Sequence, residues 1–286
     1  MIAQSLIIIG TEMGWEELEI LKAAKARGMS RHCFKAATIE IRLTPTGTKL
    51  YRHKKDITSL FQKSRLLFRR SRGAQEKMIT LALLAEHWGL SFTDGVTSIM
   101  SNLNKSIFLP SVSTRWIRPI PTLFCNRGEM GDLSSLTFPL LSKPVHGRHG
   151  EDVTIFDRPA DFKRFLKTNL KSLMIQPFLP IEKEYRVFVV GKKALGVVQK
   201  IPRKGSRIAN YARGATFLPS KLPSAMIREA VKLCRDQQID IGGVDLAQVG
   251  THFYLLEVNR CPEFKAFSLA TGIVVADQIL NFILNK

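Results

Sequence analysis

Residues 255–264 read LLEVNRCPEF, placing a carboxylate, Glu257, and a carboxamide, Asn259, two positions apart inside an apolar run. In a strand, residues i and i+2 point to one face. The two side chains therefore share a face, with Leu255 and Phe253 continuing the row and Tyr254, Leu256 and Val258 lining the other. A buried carboxylate without a partner costs several kcal/mol, so Glu257 needs a cation, a metal ion or an exposed edge. Upstream, GGVDLAQV and FYLLEVN flank VGTH and read as a hairpin. With a loop of Gly250, Thr251 and His252, Val249 faces Phe253 and Asp245 falls opposite Glu257. Asp245, Glu257 and Asn259 then form a patch of hard oxygen ligands of the kind that holds magnesium against phosphates. Ion pairs from the two carboxylates to lysine or arginine are the competing reading.

Phosphate chemistry needs cations and backbone N–H groups as well. Lys105 follows a helical pattern in SNLNKSIF, and Lys143 ends an apolar run just before HGRHGED. The two glycines of that loop allow backbone N–H groups to wrap an anion, and the lysine before it supplies a point charge for phosphate oxygens. An ordinary surface hairpin is the alternative. Ile175 to Leu179 is apolar and extended with Pro177 inside, as at a sheet edge or hinge. Exposed backbone there suits the edge of an adenine ring. Glu184 and Arg186 again share a face by their spacing, and a cross-strand ion pair is the plain structural reading for them.

These residues need a frame of strands and helices. SLIIIG reads as a buried strand and Trp15 to about Ala26 as a helix stopped at Gly28. TIEIRL, KLYR and SRLLFRR read as strands, and AQEKMITLALLAEHW as a helix ending at Gly89. GVTSIMSNLNKSIFL reads as a further short helix. This alternation predicts a parallel sheet. Beyond about residue 105 the pattern turns to antiparallel pairs, such as EYRVFVVGKKALGVVQKI turning at GKK, with helices over 159–168, 223–237 and 272–284. The reading is an N-terminal α/β domain over 1–100 and a mixed α+β body over 101–286. The four cysteines, Cys33, Cys125, Cys234 and Cys261, form no CxxC pair, which argues against zinc and for a reducing, cytoplasmic setting. No apolar run reaches the roughly 18 residues of a membrane span, so no membrane partner is expected. Lys and Arg number 43 against 24 Asp and Glu, a net charge of +19. Basic clusters in YRHKKD, RLLFRRSR, FKRFLK and QKIPRKGSR suggest an acidic ligand: nucleotide, acidic peptide or nucleic acid.

In this order — lysine, lysine with glycine loop, hinge, E-x-R, then D…ExN — the chain resembles the ATP-grasp superfamily, and within it the RimK-type ligases that add glutamate to ribosomal protein or related acceptors. IPTLFCN looks like the family's P-x-T strand, NYARGA like N-x-x-R-G-G, GGVDLAQVGTHFYLLEVNRCPEF like its GVD-L…EVN-x-x-P-G-F signature, and ATGIVVADQI like its closing helix. The resemblance implies an ATP-grasp fold, with the nucleotide-binding body in two parts, about 105–175 and 176–286. It implies that Lys105 and Lys143 contact ATP phosphates beneath a flap formed by Gly147, Arg148, His149 and Gly150. Gln176, Pro177 and Phe178 would sit at the adenine, and Glu184 at the ribose hydroxyls. Arg186, Asn210 and Arg213 would face the phosphate or acyl phosphate. Asp245, Glu257 and Asn259 would hold magnesium, two ions, with manganese as a substitute. The implied reaction joins a carboxylate, activated by ATP, to an amine, with an amino acid or an acidic peptide or protein as acceptor. Alternatives are cross-linking of side chains in a ribosomal peptide, a small-molecule dipeptide ligase, and a non-catalytic protein bound to RNA or the ribosome through its basic surface. The chain departs from the pattern at Pro177, often Glu, at Asp152, often a third flap glycine, at Glu263, usually Gly, and at Gln199-Lys200, where an Arg is common.

Overall fold

A computed structural model describes residues 5–71, 73–101, 114–125, 137–145, 153–169, 171–203 and 215–286. Its first part runs β1 (Ser5–Gly10), α1 (Trp15–Ala26), β2 (Ser30–Lys35), β3 (Ile39–Thr44), β4 (Gly47–Arg52), β5 (Lys55–Asp56), α2 (Thr58–Gln62), β6 (Ser64–Phe68), α3 (Gln75–His87), β7 (Phe92–Thr93) and α4 (Val96–Ser101). The uninterrupted apolar run of β1 is buried at every position because it lies inside a parallel sheet covered on both sides. Leu6 and Ile8 face α1 through Ile20 and Ala24, while Ile7 and Ile9 face α3 through Met78 and Leu81. The strand order is β2-β1-β6-β7. The expected strands TIEIRL and KLYR do not join this sheet: β3, β4 and β5 form a separate antiparallel sheet. The outer strands of the sheet are β7 and β2, and in β2 only Phe34 is buried.

The second part runs β8 (Ile117–Pro119), β9 (Leu123–Cys125), β10 (Leu140–Pro144), β11 (Thr154–Phe156), α5 (Pro159–Thr168), β12 (Leu173–Pro177), β13 (Lys183–Val190), β14 (Lys193–Ile201), β15 (Thr216–Ser220), α6 (Ser224–Asp236), β16 (Ile241–Val249), β17 (His252–Asn259), α7 (Lys265–Thr271) and α8 (Val275–Asn285). It holds a four-stranded sheet, β11-β10-β12-β9, and a six-stranded sheet, β15-β14-β13-β16-β17-β8. Phe162 of α5 packs with Leu140, Leu173 and Ile175 on one face of the smaller sheet. The larger sheet has α6 on one face, through Ala230 and Leu233 against Val187, Val244 and Leu255. Its other face shares a core with the N-terminal part: Phe188, Val190 and Val198 pack with Leu6, Ile8, α7 and α8. The parallel sheet and α4 precede β8 in the chain, and the two parts meet through this common core.

One expectation is corrected by backbone geometry. The helix expected over 272–284 begins later, as α8 at Val275, because Gly272 takes φ +71 and closes the separate helix α7 that precedes it. That left-handed conformation favours glycine at a helix end. The hairpin turning at GKK is present, with Gly191 at φ +60; a Cβ there would lie 2.6 Å from the Phe282 ring. Among the described residues no single helix is long and apolar enough to cross a membrane.

Candidate functional site

The β16–β17 hairpin does pair Asp245 with Glu257, but by a different route from the expected one. Its turn is one residue tighter, so Val249 pairs with His252 and Leu246 with Leu255. The register then shifts between Leu246 and Asp245, leaving Leu256 as an extra residue on β17. Such a bulge re-aims the side chains beyond it. Phe253 and Leu255 therefore point into the α6 core, joined there by Val258, and they do not continue the row of Glu257 and Asn259. The bulge carries Glu257 and Asn259 to the opposite face, beside Asp245.

Residues from three adjacent strands converge on that face. Glu184 and Arg186 come from β13, Lys200 from β14, and Asp245 from β16, whose Cα partner across the sheet is Arg186. Arg186 grips Asp245 with two bonds, Nε to Oδ1 and Nη2 to Oδ2, both 2.7 Å. Lys200 Nζ donates to Asp245 Oδ2 at 3.0 Å and also to Glu184 Oε1. The side chains of Lys200 and Asp245 are only 7% and 3% exposed, so these bonds form largely out of water. Burial pushes Glu184 up to about 7, with the Lys200 charge pulling the other way. Burial also works against the charged form of Asp245, yet Arg186 and Lys200 outweigh it and hold the group at about 2. Burial disfavours the Lys200 ammonium too, and the two carboxylates raise its pKa in spite of it.

The ion-pair reading thus holds for Asp245 and not for Glu257, which has no salt bridge among the described residues. The donor set still fits a hard cation. Asp245 accepts three bonds, and a carboxylate offers about four lone-pair sites. Asn259 Oδ1 takes one N–H, from Cys261 at 3.0 Å. Three carboxylates face two cations here, an imbalance that a bound cation would relieve. No cluster of three or more His, Cys, Asp and Glu side chains that could hold a metal ion occurs among the described residues.

The hinge differs from its expected form. β12 is an interior strand of its sheet, not an edge, and Pro177 is its last residue, paired with Leu140. The Phe178 N–H already donates to the Pro139 carbonyl at 2.8 Å, and Gln176 Nε2 to Thr122 Oγ1 at 2.8 Å. Lys143 and Gln176 lie on the sheet face away from α5, since their neighbours Ser142 and Ile175 alternate with them. Lys105, the loop residues Gly147, Arg148, His149 and Gly150, and Asn210 with Arg213 lie outside the described residues. Lys200 was read only as a departure from pattern. A lysine ending the apolar strand LGVVQKI was the available signal for it.

Two arginines of the RLLFRRSR cluster, Arg69 and Arg70, are paired with carboxylates of the chain itself. Arg69 is 1% exposed and paired with Glu17 at 3.1 Å. Arg70 reaches Glu12, Glu16 and Glu263. Just after Asn259, Arg260 is buried against Asp94 at 2.8 Å and donates to the carbonyls of Phe68 and Arg69. The loop that follows the carboxylate pair is thereby fastened to the parallel sheet.

With this geometry in place, comparisons with known proteins identify the relatives. The RimK-like ATP-grasp domain matches residues 128–283. A probable alpha-L-glutamate ligase of Haemophilus influenzae (strain PittEE) is 25% identical over 174 residues, which cover 58% of this chain and 58% of that protein. The match thus spans less than two thirds of that relative's length. The macrocyclase MdnC of Microcystis aeruginosa MRC, in a crystal structure with its precursor peptide MdnA, superposes with a TM-score of 0.75 at 13% identity, covering 99% of this chain and all of that one. A RimK domain ATP-grasp protein of Sphaerobacter thermophilus gives 0.68 at 16% identity over 98% of this chain and 99% of that one. The fold is ATP-grasp throughout.

Proposed function

This chain belongs to the RimK-like ATP-grasp family, and on that premise we propose that it is an ATP-dependent ligase joining a carboxylate to an amine. The observation that carries the reading is the converged face of Glu184, Arg186, Lys200, Asp245, Glu257 and Asn259, which lies within the matched residues. A carboxylate oxygen attacks the γ-phosphate of ATP; the bond to the β-phosphate oxygen breaks and ADP leaves. The acyl phosphate then takes the lone pair of an amine. Phosphate departs with the C–O bond electrons, and the amine gives up a proton. Little covalent work falls to the protein, whose task is positioning and charge.

Each side chain has a place in that task. Two N–H donors of Arg186 are fixed by Asp245, leaving the rest of a rigid guanidinium for phosphate oxygens. Glu257, Asp245 and Asn259 would hold magnesium, which when bound neutralises phosphate charge. Glu184, on the same face, is placed for ribose hydroxyls, and Lys200 sets its charge. Lys143 and Lys105 would meet the phosphates under the loop 147–150. Asn210 and Arg213 would face the acyl phosphate, and Gln176 to Phe178 the base.

The donor and acceptor follow from the relatives. The likeness to a probable alpha-L-glutamate ligase supports addition of glutamate or another amino acid to a peptide or protein. The likeness to a macrocyclase bound with its precursor peptide supports the alternative of joining two side chains within one peptide. Incubation of the chain with ATP, magnesium, amino acids and acidic peptides distinguishes them. ADP release should require a carboxylate and an amine together. The peptide mass should rise by amino-acid residues in the first case and fall by water in the second. Asp245→Asn and Glu257→Gln should each lower turnover about a hundredfold or more with the fold retained. Full turnover in both variants at limiting magnesium removes the metal assignment.

A further inference from the structure

A cleft of about 270 Å³, lined by none of the residues of the converged face, opens at the carboxyl ends of β1 and β2. Small-molecule pockets begin near 300 Å³, so the cleft has room for one side chain rather than a nucleotide. Its lining includes Met13, Phe34, Lys35, Arg52 and His53.

Arg52 gives the cleft its chemistry. Its guanidinium carbon stands 4.9 Å from the centroid of the Phe34 ring, and its Nε donates to Thr38 Oγ1 at 3.3 Å. Among the described residues no carboxylate pairs with it. A guanidinium stacked on an aromatic face, with its terminal N–H groups uncommitted, is suited to bidentate capture of a carboxylate. Lys35 adds a second positive charge at the end of β2. Glu12, an acid that also lines the cleft, lies 3.4 Å from Arg70, which offsets its charge. That same arginine reaches Glu263 at 3.6 Å, so the cleft opens beside the loop that follows the carboxylate pair.

The backbone supplies an independent observation. His53 and Lys54 form the two-residue turn between β4 and β5 and take φ values of 49 and 65. Turns with two positive φ values strongly favour Asn-Gly, and other residues held there are strained. This chain places two basic residues there instead, one of them lining the cleft.

We propose that the cleft is a docking subsite for one carboxylate side chain of an acidic peptide, distinct from the nucleotide-handling face. The test uses the full chain without nucleotide, so its failure leaves the ligase reading intact, and an absence of ADP release leaves this proposal intact. Binding of a fluorescein-labelled peptide alternating Glu and Leu is followed by anisotropy. Arg52→Met keeps an apolar stem over Phe34 and should weaken binding about tenfold or more. The same peptide with Gln in place of Glu should not compete. Replacing His53 with Asn and Lys54 with Gly should raise the melting temperature by relieving the turn, and should weaken the peptide at the same time. An affinity unchanged within about twofold in Arg52→Met overturns the proposal. So does a turn variant that gains stability and keeps full affinity, since the turn is then only structural. A single-stranded RNA that displaces the Glu peptide, and whose own binding is the one that Arg52→Met weakens, overturns it in favour of a nucleic-acid surface.

Discussion

The Lys200 ammonium lies between two carboxylates, Glu184 and Asp245, with Arg186 closing the far side of Asp245. Burial and the pairing pull the two acids in opposite directions, Glu184 up to about 7 and Asp245 down to about 2. Their effects on stability have opposite signs. Glu184 binds its proton more tightly folded than unfolded, so stability is lost as pH rises from about 4.5 through about 7. Asp245 behaves in reverse, and its contribution is lost as pH falls from 3.8 toward about 2. Without nucleotide or metal, the melting temperature should therefore decline between pH 5 and pH 8, and Glu184→Gln should flatten that decline. An identical slope in the variant would show that Glu184 does not titrate there. Of these residues the sequence exposed Glu184, Arg186, Asp245 and Glu257 through their alternation in strands. Lys200 escaped because one basic residue at a strand end looks like any other until its cross-strand neighbours are known.

At the scale of elements, strong periodicity was legible and local breaks were not. The helix from Trp15 to Ala26 and the hairpin turning after Val190 appear as expected. β2 was missed because SRHCFK, lying at the edge of the sheet, buries little and carries no apolar run. The bulge at Leu256 was equally hidden: an unbroken alternation and a bulged one differ only in which face each residue meets, and both faces offer apolar partners. β17 ends in the Asp94–Arg260 pair, which fastens it to β7. Asp94 Oδ1 also accepts the backbone N–H groups of Asp240 and Ile241 at 2.8 and 3.3 Å. Arg260→Met leaves a buried carboxylate uncompensated and should cost about 3–5 kcal/mol in chemical denaturation. Adding Asp94→Asn removes the charge while keeping the acceptor, and should recover part of that loss. Strictly additive losses would mean that the pair does not act as a unit.

Over the whole molecule, the basic residues include two kinds that the net charge of +19 does not separate. Arg69, Arg70, Arg186, Lys200 and Arg260 are spent internally on buried or half-buried carboxylates. Lys35, Arg52 and His53 stand at a cleft with no carboxylate paired to them among the described residues. Composition registers the total and not this division, which depends on which strands become neighbours. The ordered set of motifs did reveal the ATP-grasp architecture, because each motif carries its own spacing. The central claim, that this architecture activates a carboxylate by phosphorylation, is tested most directly by trapping. The chain is incubated with ATP, magnesium and glutamate or an acidic peptide in the presence of hydroxylamine. The account predicts a hydroxamate of the donor carboxylate formed in step with ADP and inorganic phosphate, and lost in Asp245→Asn. Formation of AMP and pyrophosphate, or hydroxamate independent of ATP, would contradict it.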